Sequence, residues 1–179
     1  LVCGDADSLS PFAIASGNTN GAFSINSLTG AITVASASAL NFETLSLRWD
    51  DPATFEMFVT ITDSANPSLN ETLRTVVTIS DLNESPAVSG TSQSILEHTA
   101  VGTKVVKITA TDADRFDFPT YSITAGNTGN AFAIDSGTGQ ITVAANIDIA
   151  ANTVYNLTVK AADQGTPSLF SNASVAITV

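Results

Sequence analysis

Apolar residues along this chain recur at every second position. Tyr155, Leu157, Val159 and Ala161 alternate with Asn156, Thr158, Lys160 and Ala162, as in a strand with one face in a core. The same period runs through Val106/Ile108/Ala110, Phe132/Ile134, Ile141/Val143 and Val175/Ile177/Val179. Earlier it appears in Phe23/Ile25, Ile32/Val34, Phe55/Met57/Val59/Ile61 and Thr75/Val77/Ile79. β-Branched residues dominate these runs, as strands prefer. Gly17-Asn18, Thr29-Gly30, Gly126-Asn127, Gly137-Thr138-Gly139 and Gly165-Thr166-Pro167 separate them as turns. Only Ser36–Leu40 and Ala144–Ala151 read as brief helical turns. The pattern predicts an all-β chain folded as Greek-key β-sandwiches, each of about 100 residues.

The pattern also repeats. Asp112-Ala113-Asp114 has a partner in Asp5-Ala6-Asp7, 107 positions earlier, and Phe132-Ala-Ile134 and Ile141-Thr-Val143 have partners 109 positions earlier. Val159 to Leu169 matches Val59 to Leu69 at an offset of 100. Two tandem domains follow, with an insertion around Leu45–Thr54 in the first. The expected division is a first repeat over residues 1–80, a linker over 81–86 and a second repeat over 87–179. The second copy has Ser94–Ala110 ahead of its Asp-Ala-Asp; the first begins almost at its own. The first repeat is therefore expected to lack its opening strands, and the chain reads as a piece of a longer polypeptide. Leu1–Gly4 does not read as a signal peptide.

Charge narrows the function. The chain of 179 residues has 17 acidic and 6 basic side chains, a net charge of −11. So acidic a chain is a poor partner for a phosphate backbone or an anionic membrane. No apolar run is long enough to span a bilayer. One cysteine, Cys3, excludes an internal disulfide framework and a cysteine-based zinc site, and reads as a small buried hydrophobe. His98, the single histidine, would have to be the base of any Ser-His-Asp arrangement. It reads instead as a solvated strand residue, and no enzyme is expected.

The acids stand at strand ends and in the connector, while the strands are nearly uncharged. Glu43, Asp81, Glu84, Asp112, Asp114 and Asp163 would all fall near the junction of the copies if strands run end to end through each sandwich. Two like charges about 5 Å apart repel by roughly 0.8 kcal/mol in water and about 3 kcal/mol at an effective dielectric near 20. With few bases to offset this, a divalent cation is the natural counter-charge. An oxygen-only set selects Ca²⁺ or Mg²⁺, and irregular spacing with an asparagine and backbone carbonyls favours Ca²⁺.

Here the chain resembles the cadherin repeat family over essentially its whole length. Glu97-His-Thr-Ala-Val101 through Ala110-Thr-Asp112-Ala-Asp114 is similar to that family's first strands and Asp-x-Asp motif. Leu40-Asn-Phe-Glu43 resembles its Leu-Asp-x-Glu motif. Ala162-Asp163-Gln-Gly165-Thr-Pro167 resembles its strand end, and Asp81-Leu-Asn-Glu-Ser-Pro86 its linker. The resemblance implies immunoglobulin-like sandwiches and one interdomain site for up to three Ca²⁺ ions. Its ligands would be Asn41, Glu43, Asp81, Asn83, Glu84, Asp112, Asp114 and Asp163, with carbonyls of Leu82 and Ser85. Asp5, Asp7 and Asp63 would serve the preceding junction and Glu97 the following one. Departures are Asn41 and Glu84, each where the family usually has Asp, a linker one residue shorter before Pro86, and Ile147-Asp148-Ile149-Ala150, which lacks the motif's Glu. The junction after Val179 is accordingly expected to bind calcium weakly.

The expected function is that of a calcium-rigidified extracellular or cell-surface segment of an adhesion or tethering protein. Its partners would be neighbouring repeats of the same chain and homophilic or heterophilic protein contacts. A structural spacer and a carbohydrate-binding module are the alternatives; Trp49 and Phe116 leave the latter open, while Phe116, Phe118 and Phe58, the last with outward parity, are candidates for an adhesive contact. Asn70-Glu-Thr, Asn156-Leu-Thr and Asn172-Ala-Ser are N-glycosylation triplets, and Asn83-Glu-Ser is a weaker one.

Overall fold

The computed structural model describes residues 11–45, 52–115, 117–148 and 153–179. The chain divides into two compact units, Leu1–Leu82 and Asn83–Val179. In the first, strand β1 (Phe12–Ser16) pairs antiparallel with β4 (Ala53–Thr62), and β4 with β5 (Asn70–Ile79). A second sheet is the hairpin of β2 (Phe23–Ile25) and β3 (Ile32–Val34). The alternation along β4 places Ala53, Phe55, Met57 and Val59 inward and buried. Phe23 of β2 meets Phe55 of β4 edge to face, ring centroids 5.1 Å apart, which joins the two sheets.

The second unit is a fuller sandwich. Its strands are β6 (Ala87–Val88), β7 (Thr91–Ser94), β8 (Lys104–Lys107), β9 (Ala110–Thr111), β10 (Thr120–Ala125), β11 (Phe132–Ile134), β12 (Gln140–Val143), β13 (Val154–Ala162) and β14 (Phe170–Thr178). One sheet has the order β10-β13-β14-β7, the other β11-β12-β8, and β6 pairs with β9. The chain crosses repeatedly from one sheet to the other, as a Greek key requires. Tyr155, Leu157, Val159 and Ala161 of β13 and Val175 and Ile177 of β14 face Phe132, Ile141 and Val143 across a single core. Phe132 and Tyr155 repeat the edge-to-face contact at 5.1 Å.

The loops repeat as faithfully as the core. Asn18 and Asn127 each clamp a following strand: the side-chain amide donates to the carbonyl of Phe23 or Phe132, and the side-chain oxygen accepts from that residue's N–H. Asn26 and Asp135 each accept two backbone N–H groups in the next turn. Hydrogen bonds from Thr138, helped by Gly137, hold the Asp135 carboxyl below the usual carboxylate range.

Some expectations are corrected. Val34 is 54% exposed although its parity matches Ile32, because β3 is a two-stranded hairpin's edge among the described residues. Residues 37–40 do form a 3₁₀ turn, but Ala144–Asp148 is not helical; the end of that segment lies outside the described residues. His98 is exposed as expected, yet sits in a turn at φ 56° rather than in a strand. Packing here is tight enough to register one methyl group. Ile141 is fully buried, so Ile141→Val is expected to cost about 1 kcal/mol in chemical denaturation, with no change in slope.

Candidate metal centre

The centre of the second unit's acidic cluster is built by three loops at one end of its sandwich. Asp112 and Asp114 follow β9, Asp163 follows β13, and Asn83 and Glu84 precede β6. Register places them together: β6 pairs with β9 through Ala87 and Thr111, while Ala162, at the end of β13, pairs with Thr120 and Phe170.

Hydrogen bonds aim the carboxylates. The Glu84 N–H donates to Asp114 Oδ2 at 3.0 Å, and the Asp114 N–H to Asp112 Oδ1 at 3.1 Å. Asn83 Nδ2 donates to Asp163 Oδ2 at 2.9 Å and to the Pro167 carbonyl at 3.0 Å. Asp163 is only 4% exposed, and its Oδ1 takes the Leu169 N–H at 2.7 Å. Glu84 and Asp114 bring carboxylate oxygens within 4.8 Å of one another. Each pairing leaves an oxygen over: Asp112 Oδ2 and Asp114 Oδ1 are buried and accept no hydrogen bond.

Two buried anionic oxygens without donors are costly, and the electrostatics agree. Burial raises the Asp112 carboxyl, and the charges of Asp114, Asp117 and Asp163 push the same way, against one hydrogen bond from Asp114. Burial also pushes Asp163 up, but hydrogen bonds from Asn83, Leu169, Ser168 and Gly165 outweigh it and hold that group below the usual range. The donor set therefore fits a hard cation: oxygens only, two with no other partner, and a local excess of negative charge.

The signs of these shifts give a test. Because Asp112 titrates above its unfolded value, it adds stability to the metal-free protein only as pH falls through its folded pKa, and fully below its unfolded pKa. Asp163 runs the other way, its contribution present above its unfolded pKa and lost as pH falls through its lowered folded pKa. Asp112→Asn is expected to raise the melting temperature of metal-free protein at neutral pH and to flatten its rise on mild acidification. Melts across that range in metal-free buffer check both.

The remaining expected site residues fall as follows. Asn41, Glu43, Asp63 and Asp81 belong to the first unit. Asn41 donates from Nδ2 to Glu43 Oε2, and its Oδ1 accepts the Thr44 N–H at 2.9 Å, which fixes the one-turn helix Phe42–Leu45 at its start. Asp63 Oδ1 accepts N–H groups from Ala65 and Asn66 at 2.7 and 3.0 Å. Its backbone pairs with Leu69 as that of Asp163 pairs with Leu169. Glu97 follows β7, whose Ser94 pairs with Thr178, so it stands at the opposite end of the second unit from Asp163, about 26 Å along β13 at ~3.3 Å per residue. Asp5, Asp7, Cys3, Trp49 and Phe116 lie outside the described residues, whereas Phe118 is 69% exposed. Asp117 joins the cluster without having been expected there. Both its oxygens accept the Gln164 N–H, at 3.0 and 3.1 Å. Its position after Asp-Ala-Asp was the available signal.

A sandwich repeat with an oxygen-donor centre at one end defines the class. The Cadherin domain family matches residues 91–179. Protocadherin Fat 4 of Mus musculus is 33% identical over 135 residues, 73% of this chain and 3% of that protein. Cadherin EGF LAG seven-pass G-type receptor 3 of Rattus norvegicus is 34% identical over 181 residues, 98% of this chain and 5% of that protein. Among solved structures, mouse cadherin-23 EC22-24 aligns with a TM-score of 0.67 at 26% identity, covering 96% of this chain and 52% of that one. Drosophila N-cadherin EC1-4 aligns at 0.69 with 20% identity, over 94% of this chain and 40% of that one, and bears on the fold alone. The chain belongs to the cadherin repeat family. It spans only 3 to 5% of the length of the curated relatives just named. Members are extracellular or cell-surface proteins, structural rather than enzymatic, and cadherin domains generally bind calcium. No helix among the described residues is long and apolar enough to cross a membrane.

Proposed function

We propose that this chain is a calcium-rigidified segment of an extracellular adhesion or tethering protein. One observation carries the reading: Asp112 Oδ2 and Asp114 Oδ1 are buried without donors among further carboxylates. Asp112, Asp114, Asp163, Asn83 and Glu84 hold Ca²⁺, and the ion supplies the positive charge that this cluster lacks. Asn41, Glu43 and Asp81 enter as ligands on their sequence motifs. Asp63, with Asp5 and Asp7, serves the preceding junction and Glu97 the following one. Without metal the carboxylates repel and the repeats swivel about residues 81–86. With metal, ligands from both sides of the connector fix one orientation, so that a long array can present a distant contact or bear load. Affinity in the range of extracellular calcium modules, Kd about 10⁻⁴–10⁻³ M, suits the location.

Small-angle scattering during a calcium titration tests this. The radius of gyration is expected to rise and then plateau as metal is added, and to fall again in EGTA. A profile indifferent to EGTA would sink the reading. Sedimentation with and without calcium then separates an adhesive segment, which self-associates when loaded, from a spacer, which stays monomeric.

A further inference from the structure

The second unit has two N-glycosylation triplets on adjacent strands. Asn156-Leu157-Thr158 lies on β13 and Asn172-Ala173-Ser174 on β14. Leu157 and Ala173, the middle residues, are buried in the core. The two-residue period therefore turns each asparagine and its hydroxyl partner to the same outer face, where both asparagines are exposed. Asn172 pairs across the ladder with Lys160, and Asn156 with Ala176. The two acceptors thus stand about 13 Å apart along the strands and ~5 Å across them, room enough for two oligosaccharides side by side.

A second feature of that face points to a sugar. Phe170, two residues before Asn172 on the same strand and face, is 53% exposed, and the Lys160 ammonium lies over its ring, 4.3 Å from the centroid. The outward neighbours Thr158, Ser174, Ala176 and Thr178 are small, so on this face Lys160 alone among the described residues lies over the ring, and the exposed remainder is left for another group to cover. The C–H face of a pyranose attached at Asn172 is the right size and polarity to do so. The Asn83-Glu84-Ser85 triplet makes the contrast. There the side-chain amide donates to Asp163 and to Pro167, leaving no N–H to exchange for a sugar.

We propose that Asn156 and Asn172 carry N-linked oligosaccharides, and that Phe170 is the platform for the first sugar on Asn172. In the transfer Nδ2 bonds to C1 of an N-acetylglucosamine delivered on a lipid pyrophosphate. The C1–O bond to phosphate breaks, the lipid pyrophosphate leaves with its electron pair, and one amide proton is lost to base. The extracellular or cell-surface location of the family supplies the secretory route that this donor requires.

The test uses the chain secreted from a eukaryotic cell line. Glycopeptide mapping is expected to find sugar on both asparagines, each signal lost singly in Asn156→Gln and Asn172→Gln. Finding either site bare in the secreted parent overturns its assignment. For the platform, an Asn70→Gln, Asn156→Gln background leaves only the Asn172 glycan. That protein is trimmed to a single N-acetylglucosamine or stripped completely with peptide N-glycosidase, which leaves an aspartate at 172 and is therefore matched by an Asn172→Asp control. Stripping is expected to lower the melting temperature by about 4 °C relative to the single sugar, and the difference should vanish with Phe170→Ala. Equal melting of trimmed and stripped protein, or a difference unchanged by Phe170→Ala, overturns the platform. The mapping needs no calcium and the melts are run in EGTA, so failure here and failure of the metal reading are separable.

Discussion

Asp114→Ala is expected to remove nearly all of the calcium-dependent rise in the melting temperature of this chain. Asp114 is singled out because its two oxygens do different work: Oδ2 receives the Glu84 N–H, while Oδ1 is buried without a donor. Losing a directly ligating carboxylate should weaken binding by about 100-fold or more, at or beyond the upper end of what outer-shell substitutions cost. At free calcium about 100 times the parent's Kd, the parent gains roughly 2.7 kcal/mol from binding. A variant weakened about 100-fold gains only ~0.4 kcal/mol under the same conditions. For a domain of this size the difference is about 10 °C or more in melting temperature. In metal-free buffer the balance is otherwise, because the variant loses one hydrogen bond and sheds one repulsive charge from beside Asp112. Asp114→Asn keeps an oxygen for Glu84 and removes only the charge, so it should melt at or above the parent without calcium and still fail to respond to it. Calorimetry of the three proteins with calcium and with EGTA checks both statements. A parent-like calcium response in either variant would show that Asp114 is not a ligand.

The legible part of this site was its composition. Asp112, Asp114 and Asp163, just beyond the ends of β9 and β13, stand out as soon as the strands are marked and could be named from spacing alone, although Glu56, Glu71, Arg74, Lys104, Lys107 and Lys160 show that the strands carry charge too. What could not be read was the division of labour between oxygens. Which atom of each carboxylate is spent on a backbone N–H depends on the path of the 83–86 and 163–169 segments, and no spacing rule encodes it. Asp117 was missed for the same reason. Its link to the cluster is the Gln164 N–H, donated from a loop nearly fifty residues away.

The fold divides along a similar line. β4 and β13 were readable because each buries every second side chain, so the core writes its period into the sequence. β7 was not foreseen: Thr91, Ser92, Gln93 and Ser94 are all exposed, and the segment is a strand only because its backbone pairs in parallel with Val175–Thr178 of β14. Val34 shows the converse, with correct alternation on a strand that stands at the edge of its two-stranded sheet among the described residues.

Gly126→Ala is expected to cost on the order of 4 kcal/mol, among the largest single-site losses in the second unit. Gly126 follows the register shift between Ile123 and Ala125 on β10, with φ at +79°, and an added Cβ would sit 1.8 Å from the Asn156 carbonyl oxygen of β13. Two penalties combine: the left-handed backbone, about 1–2 kcal/mol for an L side chain, and a collision relieved only by pulling β10 away from β13. Gly129 separates them, since its φ is +65° but a Cβ there meets nothing within 4 Å. Gly129→Ala should therefore cost only about 1 kcal/mol. The repeat supports the distinction from inside the chain. The first unit has Gly17 at the position of Gly126, with φ +82° and the Glu56 carbonyl oxygen 1.9 Å from a built Cβ. At the position of Gly129 it has Asn20, at φ 54°, a side chain that tolerates the left-handed region when space is open. Denaturant unfolding of both variants decides the matter. Similar losses for Gly126→Ala and Gly129→Ala would mean that backbone conformation alone, and not the close approach to β13, makes Gly126 necessary.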